Sequence, residues 1–155
     1  MDGLRIVHLH TQPQHRPAAA ELIHEEFWLT VPGASVERMA TRLALAASSD
    51  RVPLCLVALQ RDTVVGAVNL VDNDDDDHPH WTPWLAGMVV AAPWRGQGIG
   101  SALVRALLAD ARRLQVPRVH FGTDGPGFYT RLGATVLEQP RPGFWFMAFE
   151  PGAAP

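Results

Sequence analysis

A glycine-rich segment, residues 95–100 with the sequence RGQGIG, lies between a short apolar run that ends at Pro93 and a long amphipathic run. Glycines allow backbone N–H groups to converge on an anion, and the N-terminus of a following helix adds positive potential. The segment is therefore a candidate phosphate-binding loop.

Other interpretations of this loop compete with a general phosphate site. A Walker loop would end in Gly-Lys-Ser or Gly-Lys-Thr, which is absent, and a dinucleotide-binding fingerprint would have a third glycine or alanine where Ser101 stands. No acidic residue ends the next predicted strand, since Gly122 and Thr123 lie there. These departures weaken the Walker and Rossmann interpretations. A glycine-rich helix start that binds nothing stays open.

The elements that position this loop follow from hydrophobic periodicity. The pattern predicts the order βααβββαβαββ, with the loop between the fourth strand and the third helix. The predicted strands cover residues 4–9, 52–60, 63–71, 84–90, 118–122, 134–139 and 143–150, and the predicted helices cover residues 18–28, 35–47, 98–114 and 126–132. This mixed order indicates an α+β fold with one twisted, mixed sheet of about seven strands and helices on both faces.

Local signals refine some of these elements. Residues 12–17 are expected to form a loop because two prolines interrupt regular structure, and Ser35 is expected to cap the second helix. Asp110 falls within the apolar arc of the third helix, so it should have a hydrogen-bonding partner. Strict alternation in the fourth strand would put four side chains on one side, those of Trp84, Ala86, Met88 and Val90.

Composition indicates one compact domain, residues 1–155. The formal net charge of -3 and the pI of about 6.1 give no basic footprint, so nucleic-acid binding is not expected. No apolar stretch of membrane-spanning length is free of charge, and the N-terminus lacks a secretion signal, so we expect a cytoplasmic protein that does not bind membranes. Cys55, the only cysteine, lies in an apolar run, which favours a buried thiol.

Two motifs resemble those of one known family. The run from residue 84 to residue 100 resembles motif A of the GNAT superfamily of acyl-CoA N-acyltransferases, in which Arg95, Gly98 and Gly100 match the pyrophosphate loop. Residues 127–134 (GFYTRLGA) are similar to the family's Phe-Tyr-x-x-Leu-Gly-Phe segment, with Ala134 in place of the usual aromatic residue. The likeness is strongest over residues 84–138 and only topological before residue 52.

The resemblance implies a single GNAT-like domain in which the fourth and fifth strands splay apart to admit acetyl-CoA. The pantetheine arm would bind the backbone of the fourth strand, and the Val90 N–H would polarise the thioester carbonyl. The diphosphate would bind the loop, with Arg95 as a charge partner. The cofactor-binding set implied in this way is Met88, Val89, Val90, Arg95, Gly96, Gln97, Gly98, Ile99, Gly100, Ser101, Thr123 and Phe128. Thr123 stands where many members carry a cofactor-contacting Asn.

The resemblance also assigns the general acid. Tyr129, the only tyrosine, would donate a proton to the departing thiolate, although an aromatic core residue is an alternative role. The general base is open, because the fourth strand carries no acid or histidine between Trp84 and Val90. A water relay is one option, Asp72, just after the third strand, is the first side-chain candidate, and Glu25, Glu26 and His120 are weaker ones.

The function expected from this resemblance is acetyl transfer from acetyl-CoA to a primary amine of a small molecule or peptide, by direct attack and without metal. The alternative is a non-catalytic acyl-CoA-binding or sensory module. The acidic run at residues 74–77 is either a solvated loop or a rim that attracts a cationic amine. A strand edge near residues 143–150 would allow a homodimer. Four aromatic residues either wall the acceptor pocket or pack in the core: Phe27, Trp28, Trp81 and Trp84.

Overall fold

Seven strands form one mixed sheet in the computed structural model, which describes residues 3–152. Their spatial order is β1-β2-β3-β4-β5-β7-β6, and all neighbours are antiparallel except β4 and β5. The strands are β1 (Leu4–His8), β2 (Leu54–Gln60), β3 (Thr63–Val71), β4 (Trp84–Val90), β5 (Val119–Thr123), β6 (Thr135–Arg141) and β7 (Phe144–Phe149). The predicted α+β sheet is confirmed.

Four α-helices cover the two faces of this sheet within the described residues. They are α1 (Arg16–Phe27), α2 (Val36–Ala44), α3 (Ile99–Arg113) and α4 (Pro126–Arg131). α1 and α2 pack on one face against buried residues such as Val57 and Val89, and we call it the α1 face. α3 and α4 pack on the opposite, α3 face with Leu56 and Leu85. Helices on both faces are thus confirmed.

Helix boundaries confirm one local prediction and correct two others. Ser35 caps α2 as predicted, because its Oγ accepts a hydrogen bond from the Arg38 N–H at 3.1 Å. α1 begins at Arg16 rather than after Pro17, since proline lacks only an N–H that the first helical turn leaves unpaired. α2 ends at Ala44, three residues earlier than expected.

The last two strands enter the sheet differently from the prediction. β7 lies between β5 and β6, so both of its edges are hydrogen-bonded and the expected exposed edge at residues 143–150 is wrong. The hairpin returns the chain inward because β5 offers a free antiparallel partner, and β6 becomes the outer strand. Among residues 3–152, no helix has the length and apolar character needed to cross a bilayer.

Asp110 has the partners that its place in an apolar arc requires. Its Oδ2 lies 2.7 Å from His8 Nε2 on β1, and its Oδ1 accepts a hydrogen bond from Arg113 at 3.0 Å. Arg113 also binds Asp50 at 3.0 Å and the Ser49 carbonyl. This network ties α3 to the edge of the sheet and gives Asp110 the structural role that its sequence position indicates.

Candidate active site

β4 and β5 meet at one end and separate at the other. The one residue pair that the described chain forms between them is Trp84 with His120, supported by a hydrogen bond from the His120 N–H to the Pro83 carbonyl at 3.0 Å. β5 is paired along its whole length with β7, so its other side is free beyond His120. The predicted splay is therefore present, and the gap widens towards Val90 and Thr123.

A β-bulge in β4 shapes one wall of this gap. The pairing of β3 with β4 shifts register between Ala67 and Asn69, and Gly87 adopts a left-handed conformation with φ +59°. The extra residue reverses the strand's alternation, so Met88 and Val90 join Leu85 on the α3 face. The predicted grouping of Met88 and Val90 with Trp84 and Ala86 is therefore wrong, because strict alternation assumes a strand without a bulge.

The backbone of Val90 faces the gap. The next N–H, that of Ala91, donates to the Val65 carbonyl on β3 at 2.8 Å. Successive residues of a strand direct their N–H groups to opposite sides, so the Val90 N–H points away from β3 and towards β5. Since β5 does not pair there, this N–H is available to a ligand in the gap.

The glycine loop lies at the wide end of the gap. Gly96 and Gly98 have φ values of +75° and +85°, and a β-carbon on either would meet no atom within 4 Å. Gly98 is the N-cap of α3, a helix of 15 residues with no acidic residue in its first turn. Open space above unpaired N–H groups at a long helix's N-terminus fits a phosphate. The buried Ile99 side chain anchors the loop in the core.

Four of the predicted cofactor residues come together where α3 leaves the loop. A β-carbon placed on Gly100 would lie 3.4 Å from Phe128 Cζ, 3.6 Å from Val90 Cγ2 and 3.7 Å from Met88 Cε. Gly100 thus lies against the side chains of Phe128, Val90 and Met88, where β4, α3 and α4 meet. Thr123 lies across the gap at the end of β5, where its Oγ1 accepts a hydrogen bond from the Gly125 N–H at 3.0 Å.

Arg95 binds protein groups in this structure. Its Nε donates to the Val90 carbonyl at 2.8 Å, and its terminal nitrogen lies 3.2 Å from Glu26 Oε2. The arginine thus connects the end of α1 to the mouth of the gap. Glu26 appeared in the sequence only as a weak candidate base, and nothing in its sequence position indicated this ion pair.

Tyr129 lies in the core of the α3 face. Its ring contacts Phe121 and Phe128 with centroid separations of 4.4 and 4.9 Å, and it is 8% exposed. Within residues 3–152 its hydroxyl has no hydrogen-bond partner. Burial first, and the nearby Asp124 second, raise the pKa of Tyr129 to about 12, so the hydroxyl stays protonated.

His120 occupies the closed end of the gap on the α1 face. Its Nδ1 lies 3.2 Å from the Pro83 carbonyl, so that nitrogen carries the proton and Nε2 is left as an acceptor. Its ring stacks on Trp81 at 5.3 Å and lies beside Trp84. Burial lowers the pKa of His120 below its usual value, so the ring is neutral near pH 7.

The loop between β3 and β4 covers this histidine. His78 stacks on Trp81 at 3.8 Å, and its two ring nitrogens lie 2.5 Å from Asp75 Oδ2 and 3.1 Å from Glu138 Oε1. The hydrogen bond to Asp75 is the main cause of a raised pKa at His78. The acidic run is thus not wholly solvated, because Asp75 fastens the loop through His78 to β6.

The remaining predicted residues lie apart from this centre. Asp72 is exposed and follows Val71, which pairs with Trp84, so it lies near the closed end of the gap. Phe27 is 47% exposed, and Trp28 packs instead against Arg42, with 5.4 Å between the guanidinium carbon and the ring. Cys55 is buried, and burial raises the pKa of its thiol to about 12, so it stays protonated.

The sequence matches known proteins over most of its length. The model of the acetyltransferase (GNAT) family matches residues 19–134. Mouse (Mus musculus) N-alpha-acetyltransferase 80 is 34% identical over 128 residues, which cover 79% of this chain and 38% of that protein. The chain therefore spans less than half the length of this curated relative.

Solved structures share the architecture at low sequence identity. That of yncA from Salmonella typhimurium, solved with its cofactor acetyl-CoA, has a TM-score of 0.77 and 17% identity, covering 99% of this chain and 96% of that one. An aminoglycoside 6'-N-acetyltransferase complexed with coenzyme A has a TM-score of 0.76 and 16% identity, covering 97% and 99% of the two chains. At this identity the likeness establishes the fold.

Proposed function

Because the chain belongs to the GNAT acetyltransferase family, we propose that it transfers the acetyl group of acetyl-CoA to a primary amine of a small molecule or peptide. The observation that carries this proposal is the gap between β4 and β5, which opens beside the glycine loop at the N-terminus of α3. A gap in that place suits an extended acyl-thioester arm whose phosphates bind the loop.

The cofactor would bind through backbone groups more than through side chains. The N–H groups of residues 97–101 would hold the diphosphate, since the left-handed Gly98 exposes the first turn of α3. The arm would lie along residues 88–90, with the Val90 N–H free for a carbonyl and Phe128 against its apolar part. The Arg95 side chain would orient the Val90 carbonyl through its Nε hydrogen bond. The side chain is about half exposed, and its solvent-facing part would lie near the phosphates.

Tyr129 is proposed as the general acid. Its hydroxyl is protonated at neutral pH and has no hydrogen-bond partner in the described chain, so its proton is available to a departing sulfur. Cys55 stays protonated on the α1 face, which supports direct attack by the amine over an acyl-cysteine route.

His120 is a better general base than Asp72 on this geometry. It is neutral near pH 7, its free Nε2 can accept a proton, and it lies on the α1 face at the closed end of the gap, where β4 and β5 pair. Asp72 is exposed beyond the end of β3. His120 is level with Trp84, three residues before the bulge glycine Gly87 on β4, so a water molecule would relay the proton between the amine and His120.

The proposed step balances in atoms and charge. The amine lone pair forms a C–N bond to the thioester carbon, and the C–S bond breaks. One amine proton passes through water to His120 Nε2, and the Tyr129 hydroxyl proton passes to the CoA sulfur. Afterwards the protonated His120 loses its proton to solvent, and the Tyr129 phenolate takes one up from solvent. The products are an N-acetyl amide and the CoA thiol.

The test is release of the CoA thiol with a panel of amines that contains small molecules and peptides with free N-termini. Tyr129→Phe should lower kcat by roughly 10- to 1000-fold while leaving the acetyl-CoA KM within about twofold, because only the acid is removed. An equal rate in this variant contradicts the role of Tyr129.

The alternative, a binding module, is separated by a thermal shift. Acetyl-CoA should raise the melting temperature in proportion to the logarithm of its concentration under either interpretation. Stabilisation without turnover of any amine in the panel would favour the module. The absence of both stabilisation and turnover would reject the cofactor site itself.

A further inference from the structure

Asn69 is a buried polar residue to which neither the sequence motifs nor the proposed acid and base give a role. It lies in the middle of β3, opposite Cys55 on one side and Ala86 on the other. Its side chain is on the α1 face, because Cys55 packs with the core of that face. It is 8% exposed, one of three buried polar or charged residues in the described chain.

The amide of Asn69 is unpaired in this structure. No hydrogen bond to its side chain is formed by any residue between 3 and 152. The other two buried polar residues, Asp110 and His120, both have protein partners. The amide atoms of Asn69 are not among the fully buried unsatisfied atoms of the described residues, so they reach solvent and can hydrogen-bond water or a ligand.

The structure directs this amide at the β4 bulge. A β-carbon on Gly87 would lie 3.0 Å from Asn69 Nδ2 and 3.6 Å from Ile23 Cγ2 of α1. The glycine therefore keeps open the space in front of the amide. The bulge is also where β4 turns its backbone towards the gap that holds the proposed thioester.

Asn69 and His120 lie on the same face of the sheet, on either side of β4, and strand spacing puts their α-carbons about 12 Å apart. The β4 residues between them on this face are Trp84 and Ala86, and the buried Trp84 ring lies 5.9 Å from the His120 ring. The space next to Asn69 that carries no side chain is therefore on the side of Gly87.

We propose that the Asn69 amide oxygen accepts a hydrogen bond from the attacking amino group and holds the acceptor beside the β4 bulge. This inference rests on the proposed acetyl transfer. A primary amine that attacks through its lone pair has two N–H groups. One loses its proton through the relay to His120, and the other needs an acceptor, which the Asn69 oxygen supplies.

The test replaces the amide with an apolar group of similar shape, Asn69→Leu. We expect the acceptor kcat/KM to fall about tenfold, the worth of one hydrogen bond, while the acetyl-CoA KM changes less than about twofold. The melting temperature of the cofactor-free protein should change little, because the removed amide makes no hydrogen bond to the described residues and its atoms reach solvent. Asn69→Ala should show the same acceptor loss if leucine is too large for the site.

Cys55→Ala is the matched control, because Cys55 lies directly opposite Asn69 on the same face. It should leave the acceptor kcat/KM within about twofold while lowering the melting temperature, as a small core truncation does.

Four results would overturn the inference. An unchanged acceptor kcat/KM in both Asn69 variants would show that the proposed hydrogen bond to the amine does not form. A lower melting temperature in both Asn69 variants, together with parallel changes in kcat and in the KM values for acceptor and acetyl-CoA, would show that Asn69 has a structural role only. A lower kcat with an unchanged acceptor KM and a shifted pH profile makes it a binder of the relay water. A parent protein that turns over no amine rejects the transferase proposal first, and this inference with it.

Discussion

The left-handed glycine of the β4 bulge offers a quantitative test of the site's architecture. Gly87→Ala places a β-carbon on a residue with φ +59°, which costs about 1–2 kcal/mol for a non-glycine residue. The same carbon would lie 3.0 Å from Asn69 Nδ2, so the buried amide must rotate, at a further cost of about 0.5–1.5 kcal/mol. The free energy of unfolding should therefore fall by about 1.5–3.5 kcal/mol.

Gly98→Ala isolates the backbone part of this cost. Gly98 also has a positive φ, +85°, yet its β-carbon would meet no atom within 4 Å. The variant should lose about 1–2 kcal/mol of stability in the absence of cofactor. Urea titrations of both variants and the parent, fitted with a common m-value, give the comparison. For a domain of this size, 1 kcal/mol corresponds to a melting shift of about 2–4 °C.

A double-mutant cycle then tests the contact itself. In an Asn69→Ala background, Gly87→Ala should cost no more than Gly98→Ala, because the amide that the new carbon displaces is gone. Equal costs of Gly87→Ala with and without the Asn69 amide would refute the proposed closeness of the two groups. A cost below about 0.5 kcal/mol in either background would refute the left-handed bulge, and with it the reversal of side-chain faces in β4.

Three further predictions concern the acid–base pair, the loop and a helix cap. His120→Gln should lower kcat about 10- to 100-fold at pH 7 and remove the acid limb of the pH–rate profile. In the parent this limb lies below pH 6.5, because burial lowers the pKa of His120. If the limb persists in the variant, another group is the base. Arg95→Gln should raise the acetyl-CoA KM at least about threefold. The free energy of unfolding should change by less than about 1 kcal/mol, because the ion pair of Arg95 with Glu26 is half exposed. An unchanged KM contradicts the place of Arg95 in the site. Ser35→Ala should cost about 1 kcal/mol in urea unfolding without changing either KM, and a cost near zero would deny the cap.

The buried histidine also makes stability depend on pH. His120 has a lowered pKa in the folded chain, so the unfolded chain binds a proton more readily as the pH falls below 6.5. Its contribution is present above that value and is lost as the pH falls through the folded pKa. His78 has a raised pKa, so its contribution is present below pH 6.5 and is lost as the pH rises through the folded value. The two histidines therefore act in opposite directions.

Features that depend on a few neighbouring residues could be predicted from the sequence. The glycines of the loop, the helix that follows it and the Ser35 cap are governed by backbone sterics and by hydrogen bonds spanning three or four residues. The partnered Asp110 also followed from local spacing, because a carboxylate inside an apolar arc must be satisfied. The order of strands and helices came from periodicity in the same way.

Features that depend on pairing between distant segments were decided by the tertiary structure. The bulge at Gly87 reverses the faces of Met88 and Val90, and a sequence pattern with period two cannot show one extra residue. β7 entered between β5 and β6 because strand order depends on which edge is free when the hairpin docks. Asn69 and His120, 51 positions apart by their numbers, lie on one face beside β4 only because β3 and β5 flank the same strand. Local chemistry thus determined the loop, and long-range strand pairing decided which polar groups lie beside β4.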